Sequence, residues 1–183
     1  MEKVEKQIYK IGNGIKVPDG TKVFPIIDPR QQQMANIPIS DELSLAYGEL
    51  DLGVKSSIHV HPICTHLTYV LSGELRVKMK DQESEDVYTL NLNANEAVLT
   101  KPGSFFQLIN KGQEICRVLY QCAPGFVFEL DANGNPVYND AIVLPHSWED
   151  LKELNWKIPG LDDVDTIRRK REEALKRMKN SQH

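Results

Sequence analysis

Cysteine is scarce in this chain: 183 residues contain three. An odd number so small excludes a disulfide framework and suits reduced thiols of a cytoplasmic protein. Cys116 and Cys122 fall with the same parity on one expected strand, too far apart along it to pair with each other. Long apolar runs are missing too, and nothing approaches the roughly 20 residues that span a bilayer. The N-terminus, MEKVEKQIYK, is charged and lacks the apolar centre of a signal peptide. No membrane partner is therefore expected. An excess of positive charge is also absent: 22 Lys and Arg against 26 Asp and Glu give a net charge of -4, with no electrostatic reason to expect nucleic acid. Internal repeats and low-complexity linkers are not found.

Histidine is sparse as well, with five in all, yet three fall within eight residues of GVKSSIHVHPICTHLTYVLSG, Gly53 to Gly73. His59 and His61 are two apart, so on a strand both project from one face. His66 follows a break at Pro62 and opens a second apolar run, HLTYVL. Two strands joined by a tight connection would bring His66 across from the first pair. Three converging imidazoles make a first-row transition-metal site with open positions. An isolated histidine is more often a satisfied core or surface residue, but three at strand spacing among so few are not explained that way. A structural zinc site is the competitor; such sites recruit cysteine and close at four ligands, and only Cys64 lies nearby.

The length suits one domain. Residues 1 to 40 read as an irregular N-terminal extension with short strands, punctuated by Gly12, Gly14, Pro18, Gly20, Pro25 and Pro29. From Ser44 to about Phe128, short strands separated by turn residues predict an all-β fold: LSLAYGELDL, SSIHVH, HLTYVLS, ELRVKMK, VYTLNL, EAVLT, FFQLIN and CRVLYQC. In DANGNP, at 131–136, the Asn-Gly pair predicts a hairpin turn between FVFEL and VYND. The barrel segment is placed at 41–145 and a helical C-terminal tail at 146–183. Ser147 and Asp150 resemble a capping box before SWEDLKEL. Leu161, Val164, Ile167, Ala174, Leu175 and Met178 follow helical spacing. The charge run RRKREE between them reads as a solvated face, and this helix is expected to pack on the barrel or on a second subunit.

The segment around the histidines resembles the first motif of the cupin superfamily, small β-barrels that hold a metal between two short motifs. That motif runs Gly, five residues, His-x-His, three or four residues, Glu, six residues, Gly. Here Gly53, His59, His61, His66 and Gly73 keep every spacing, with His66 where the family has glutamate. In the second motif Asn95 stands for the first Gly, Lys101 for Pro, Gly103 for Gly, Phe106 for the fourth ligand histidine and Asn110 for Asn. The resemblance covers roughly residues 40 to 125. It implies a single small jelly-roll barrel and a metal held by His59, His61 and His66 alone. Exchanging a carboxylate for imidazole raises the charge of such a centre by one unit and favours an anionic co-ligand. Members that use three-histidine iron make Fe(II) the favoured ion, with Zn, Ni, Mn or Cu open to the same ligands. A cupin that has lost its metal is the alternative, but it leaves no reason for a new histidine at position 66.

Strand parity places Thr68 on the His66 face, inside the barrel. Phe106 is expected beside the metal, walling off one approach or simply filling the volume a histidine vacated. Tyr47, Glu49 and Arg117 are further candidates for orienting substrate, while Gln107 has the wrong parity. Cys64 is expected to be an inert thiol and His146 a surface residue at a helix entry. The expected function is a metal-dependent enzyme on a small, anionic organic molecule, an Fe(II) oxygenase before a non-redox isomerase, lyase or hydrolase. A binding module without catalysis is the reading from another class. A homodimer is expected, with the C-terminal helix at or over its interface.

Overall fold

The computed structural model describes residues 10–27, 42–82, 84, 86–152 and 162–180. Pro29, Leu161 and the end of SWEDLKEL lie outside them. Two sheets pack face to face. One contains β1 (Lys10–Ile11), β2 (Ile15–Lys16), β3 (Lys22–Ile27), β4 (Ser44–Leu50), β6 (Thr65–Ser72), β9 (Ala97–Thr100) and β11 (Cys116–Ala123), in the order β1-β3-β4-β11-β6-β9 with β2 beside β3. The other runs β14-β5-β10-β7-β8, from β5 (His59–Val60), β7 (Leu75–Lys80), β8 (Tyr88–Leu92), β10 (Phe105–Ile109) and β14 (Ile142–Val143). A hairpin of β12 (Phe128–Leu130) and β13 (Pro136–Asn139) and the helix α1 (Val164–Asn180) complete the described chain. The all-β barrel with a helical tail is the architecture the sequence predicts.

The core follows from period-two alternation. Leu75, Val77 and Met79 of β7 face Phe106 and Leu108 of β10 and, from the other sheet, Leu50, Val70, Val98 and Val118, all of them buried. Arg76 and Lys78 point outward as expected. Lys80 does not reach solvent: the chain beyond the barrel folds over it, and its ammonium donates to the Leu151 carbonyl at 2.5 Å. Trp148, Leu144 and Leu151 form a second core with Ile58, Val60 and Phe105 on the outer side of this sheet. Gln107, of outward parity, is buried there. It donates to the Ser56 carbonyl at 2.6 Å and accepts from the Trp148 indole at 2.9 Å.

The turns explain the spacing of the motifs. Gly53, Gly73 and Gly103 all have positive φ, and Asn95, standing where the family pattern has glycine, has φ 72°. Asparagine is the side chain that tolerates this left-handed region best after glycine, so the position keeps its turn without its usual residue. The Ser147–Asp150 capping box also forms. Both the Ser147 amide and hydroxyl donate to Asp150 Oδ2 at 2.8 Å, although the turn it opens is a short 3-10 segment, Asp150–Lys152.

The N-terminal strands are part of the barrel wall. β3 pairs with β4 from Lys22–Glu49 to Pro25–Ala46, and β2 pairs back onto β3. Between β2 and β3 lies a tight turn, Val17-Pro18-Asp19-Gly20, closed by the Gly20 amide on the Val17 carbonyl at 2.8 Å. Proline at its second position and Gly20 at φ 94° suit that turn. The Ser57 amide donates to the Asp19 carbonyl at 2.7 Å, which fastens the hairpin tip over the mouth of the barrel.

Candidate metal and ligand site

His59 reaches the interior because β5 pairs antiparallel with β10, placing His59 directly opposite Phe106. Their ring centres are 4.0 Å apart. His66 sits at the start of β6, opposite Thr100 on one side and Cys122 on the other. His61 lies between, just past the end of β5, its carbonyl held by the Gly103 amide at 3.0 Å. The His59–His61 and His61–His66 ring centres are 5.4 and 4.9 Å apart. Phe106, with no exposure, touches all three imidazoles. It closes the site from the side of β10.

All three imidazoles are buried and open on one cavity with them. Its walls are mostly apolar: Val17, Val23, Pro25 and Ile26 from the N-terminal strands, and Leu108, Phe126 and Phe128 from the barrel and the segment after it. The polar groups among its lining are few, and they include Asp19, Thr21, Ser44 and Tyr120. An apolar concavity with a few convergent polar groups is the usual form of a small-molecule site.

Burial sets the charge state. It pushes the His66 imidazole down to about 3, with the His59 charge adding to the effect. His61 is held well below its ordinary value by burial, and then by the charges of His66 and His59. His59 is lowered by burial too, against the opposing pull of Asp19 and of its bond to Ser57. The three are therefore neutral at neutral pH, the form that binds metals. Tyr120 lies beside His66, ring centres 5.3 Å apart, and burial keeps its phenol un-ionised, with Asp19 as the second cause. Gly48 makes room for it: a Cβ there would stand 2.4 Å from Tyr120 Cε2. The hydroxyls of Tyr120 and Thr68 and the Nδ1 atoms of His61 and His66 are buried without a hydrogen-bond partner among the described residues.

The remaining expected site residues divide. Thr68 is buried on the His66 face, outside the cavity lining. Tyr47, Glu49 and Arg117 are not brought to the cavity. On β4 and β11 they share the parity opposite to Ala46, Gly48 and Val118, so they form an outer cluster. In it the Tyr47 hydroxyl donates to Glu49 Oε1 at 2.9 Å, and Arg117 Nε lies 3.7 Å from the same oxygen. Cys64 is fully buried, its thiol donating to Asp140 Oδ2 at 3.5 Å and pushed up by burial, which makes it inert. Asp19 is the residue the sequence reading missed. Its Pro-Asp-Gly turn was visible, but nothing local says that this turn lands on a histidine 40 positions later.

Comparison with known proteins agrees with this fold. The cupin domain family matches residues 47–122. Residues 47–122, from β4 to β11, carry a cupin domain. Among solved structures the chain is similar to the CENP-C cupin domain of Drosophila melanogaster, at 11% identity and TM-score 0.51, over 67% of this chain and 80% of that one. It is also similar to the capsular polysaccharide assembling protein CapF of Staphylococcus aureus, at 12% identity and TM-score 0.50, over 78% of this chain and 33% of CapF. A third likeness is KdgF from Halomonas sp., at 13% identity and TM-score 0.47, over 61% and 86%. At these identities the likeness is one of fold. No curated protein matches the sequence.

Many cupins hold a metal, and the donor set here fits one in its chemistry: three neutral imidazoles, two with an unpartnered buried nitrogen. Two imidazoles bound to one ion at about 2.1 Å have ring centres roughly 5 Å apart, close to both neighbouring separations. As the side chains stand, no group of three or more His, Cys, Asp or Glu among the described residues is arranged to hold an ion. The donors share a cavity without being gathered on a point.

Proposed function

We propose that this cupin is a metal-dependent enzyme acting on a small organic molecule, with His59, His61 and His66 holding a divalent transition ion. The observation that carries the reading is that three buried, neutral imidazoles open together on one apolar cavity. Fe(II) is the ion favoured, and an oxygenase the activity. Bound iron would supply activation of dioxygen, whereas a redox-inert ion would only polarise a carbonyl.

The protein's own contribution is environment. Val17, Val23, Leu108, Phe126 and Phe128 exclude water from the reacting group. Phe106 blocks the β10 side, and the N-terminal hairpin covers the site from the mouth of the barrel. Tyr120, un-ionised and without a hydrogen-bond partner among the described residues, would offer its hydroxyl as a hydrogen-bond donor in the wall beside His66. The anionic character expected of the substrate rested on a site with no carboxylate, and Asp19 weakens that reason.

A second reading is a ligand-binding cupin without metal. It is supported by Phe106 at a ligand position and by donors that are not gathered. Anaerobic purification, metal analysis and oxygen uptake with candidate substrates separate the two. About one iron per chain and oxygen consumption lost on replacement by zinc support the oxygenase. Turnover under nitrogen at the aerobic rate would assign the isomerase or lyase chemistry instead, and a chain that binds small molecules but no ion would be the binding module.

A further inference from the structure

The polar groups of the cavity are unevenly engaged. Thr21, Ser44 and Asn139 line it, but each already bonds to the protein itself. The Thr21 hydroxyl donates to Asp19 Oδ1 at 2.8 Å, Ser44 Oγ accepts from the Phe126 amide at 2.8 Å, and Asn139 Oδ1 accepts from the Ala141 amide at 3.0 Å. Among the described residues, the buried polar atoms of this wall without a hydrogen-bond partner are His61 Nδ1, His66 Nδ1 and the Tyr120 hydroxyl. They belong to neighbouring rings at one end of the cavity, His66 standing between His61 and Tyr120. The rest of the wall is mostly hydrocarbon, from Val17, Val23 and Ile26 of the N-terminal strands to Leu108, Phe126 and Phe128. No lysine or arginine is among the described residues that line the cavity, and Asp19 is its one carboxylate. Beyond the histidines, nothing there neutralises an anionic group.

We propose that the cavity takes an uncharged molecule with one polar head and a hydrocarbon body. The head is a hydroxyl or carbonyl at the His66–Tyr120 end, and the aliphatic or aromatic body lies between the N-terminal strands and Phe126 and Phe128. The inference names the substrate class of the small-molecule site read above and rests on that reading, though not on the metal. A single head finds its partners among Tyr120 and the histidines, and the body takes the place of water against an apolar wall. The cavity, about 120 Å³, is on the scale of one that holds a benzene ring, ~150 Å³, which suits a body of about six carbons. Every further hydroxyl on such a molecule gives up its water for a wall whose polar groups are already engaged. A carboxylate finds no cationic side chain and meets Asp19 instead.

The test is calorimetry on the full chain without added metal, with butan-1-ol, pentan-1-ol and hexan-1-ol as probes against mannitol and hexanoate. One alkanol per chain is expected, with affinity rising about fourfold per methylene, the equivalent of ~0.8 kcal/mol for a buried CH₂. Mannitol, with the carbon count of hexan-1-ol and a hydroxyl on every carbon, should bind at least a hundredfold more weakly. Hexanoate should bind at least tenfold more weakly than hexan-1-ol. Ala46 lines the cavity, so Ala46→Phe places a ring in it and should abolish hexan-1-ol binding. If that variant does not fold, Val17→Asp at the half-buried hairpin turn carries the same test. It adds a charge to the apolar wall and should weaken hexan-1-ol at least fivefold. Affinity flat in chain length, or hexan-1-ol binding untouched by the folded variants, would overturn the inference. Mannitol or hexanoate bound as tightly as hexan-1-ol would overturn the class of ligand and keep the small-molecule site. No binding of any probe, with or without iron, would overturn both, whereas alkanols bound by a chain that takes up no iron leave the inference standing.

Discussion

At the scale of single residues, Phe106 decides how open the site is. It stands where the family pattern places a ligand histidine and touches all three imidazoles. Phe106→His should therefore add a nearby donor and raise metal affinity at least tenfold, while costing the metal-free protein about 1–3 kcal/mol for a buried imidazole without a partner. Unchanged affinity by calorimetry would show that the side chain at 106 cannot reach the ion. The neutral histidines make a second prediction. With their values held below the unfolded value of about 6.5, and His66 down to about 3, the unfolded chain binds protons first. Stability of the metal-free protein is thus full above pH 6.5 and falls as pH drops towards 3, by up to about 1.4 kcal/mol per pH unit for each imidazole. Denaturant unfolding at several pH values measures it, and His66→Leu should flatten the slope by one proton's worth. An equal slope in that variant would mean His66 is not neutral when folded. The histidine triplet could be read from sequence because its members are local and strand parity orients them. Asp19 could not, because its meeting with His59 depends on where a hairpin tip lands across the barrel.

The elements followed the sequence closely where period-two alternation was strong. β6, β7, β8, β10 and β11 begin and end within a residue or so of the expected runs. SSIHVH is cut to β5, His59–Val60: Ser56, Ser57 and Ile58 bond to three different segments, at Leu108, Asp19 and Leu144, and Pro62 ends the pairing on the other side. Tyr47, Glu49 and Arg117 went astray because parity alone does not say which face of a strand is the inner one. Burial of Gly48 and Leu50 decides it. The helix α1 shows what length and spacing leave unsaid, namely what covers its apolar face. Ala174 and Met178 pack on Val127, with Tyr138 and Leu175 beside them. Arg171 donates to Asp140 Oδ2 at 3.1 Å and to the Gly125 carbonyl. Asp140 also accepts from the Val127 amide at 2.7 Å and the Tyr138 hydroxyl at 2.8 Å. Removing that buried carboxylate strands a cation, an amide and a hydroxyl together, so Asp140→Ala should cost about 3–5 kcal/mol. Arg177 pairs with Glu129 at 2.8 Å but is half exposed, and Arg177→Ala should cost under about 1 kcal/mol. Chemical denaturation compares the two, and equal losses would mean that Asp140 does not anchor α1.

At the scale of the whole molecule, two surfaces among the described residues bear on association. α1, expected at a subunit interface, buries Ile167, Ala174 and Met178 within its own chain, so it does not require a second subunit. The outward face of β6 and β9 is different. Leu99 stands opposite Leu67, and Leu99 and Leu71 are 56% and 44% exposed. β9 is also the last strand of its sheet among the described residues, so one side of its backbone has no strand partner there. An exposed edge strand with apolar neighbours is a ready surface for a second copy. The homodimer proposed for this protein is therefore expected to form through β6 and β9. Light scattering behind size exclusion should give twice the 20.8 kDa chain mass, and Leu71→Glu with Leu99→Glu should return the monomer, because two buried carboxylates per chain would meet their symmetry mates. Deleting residues 162–183 should lower the melting temperature through loss of the Asp140–Arg171 anchor and leave the subunit count unchanged. A deletion that yields monomers would move the interface back to the helix, and a wild-type monomer would leave the β6–β9 face as surface for something other than a second copy.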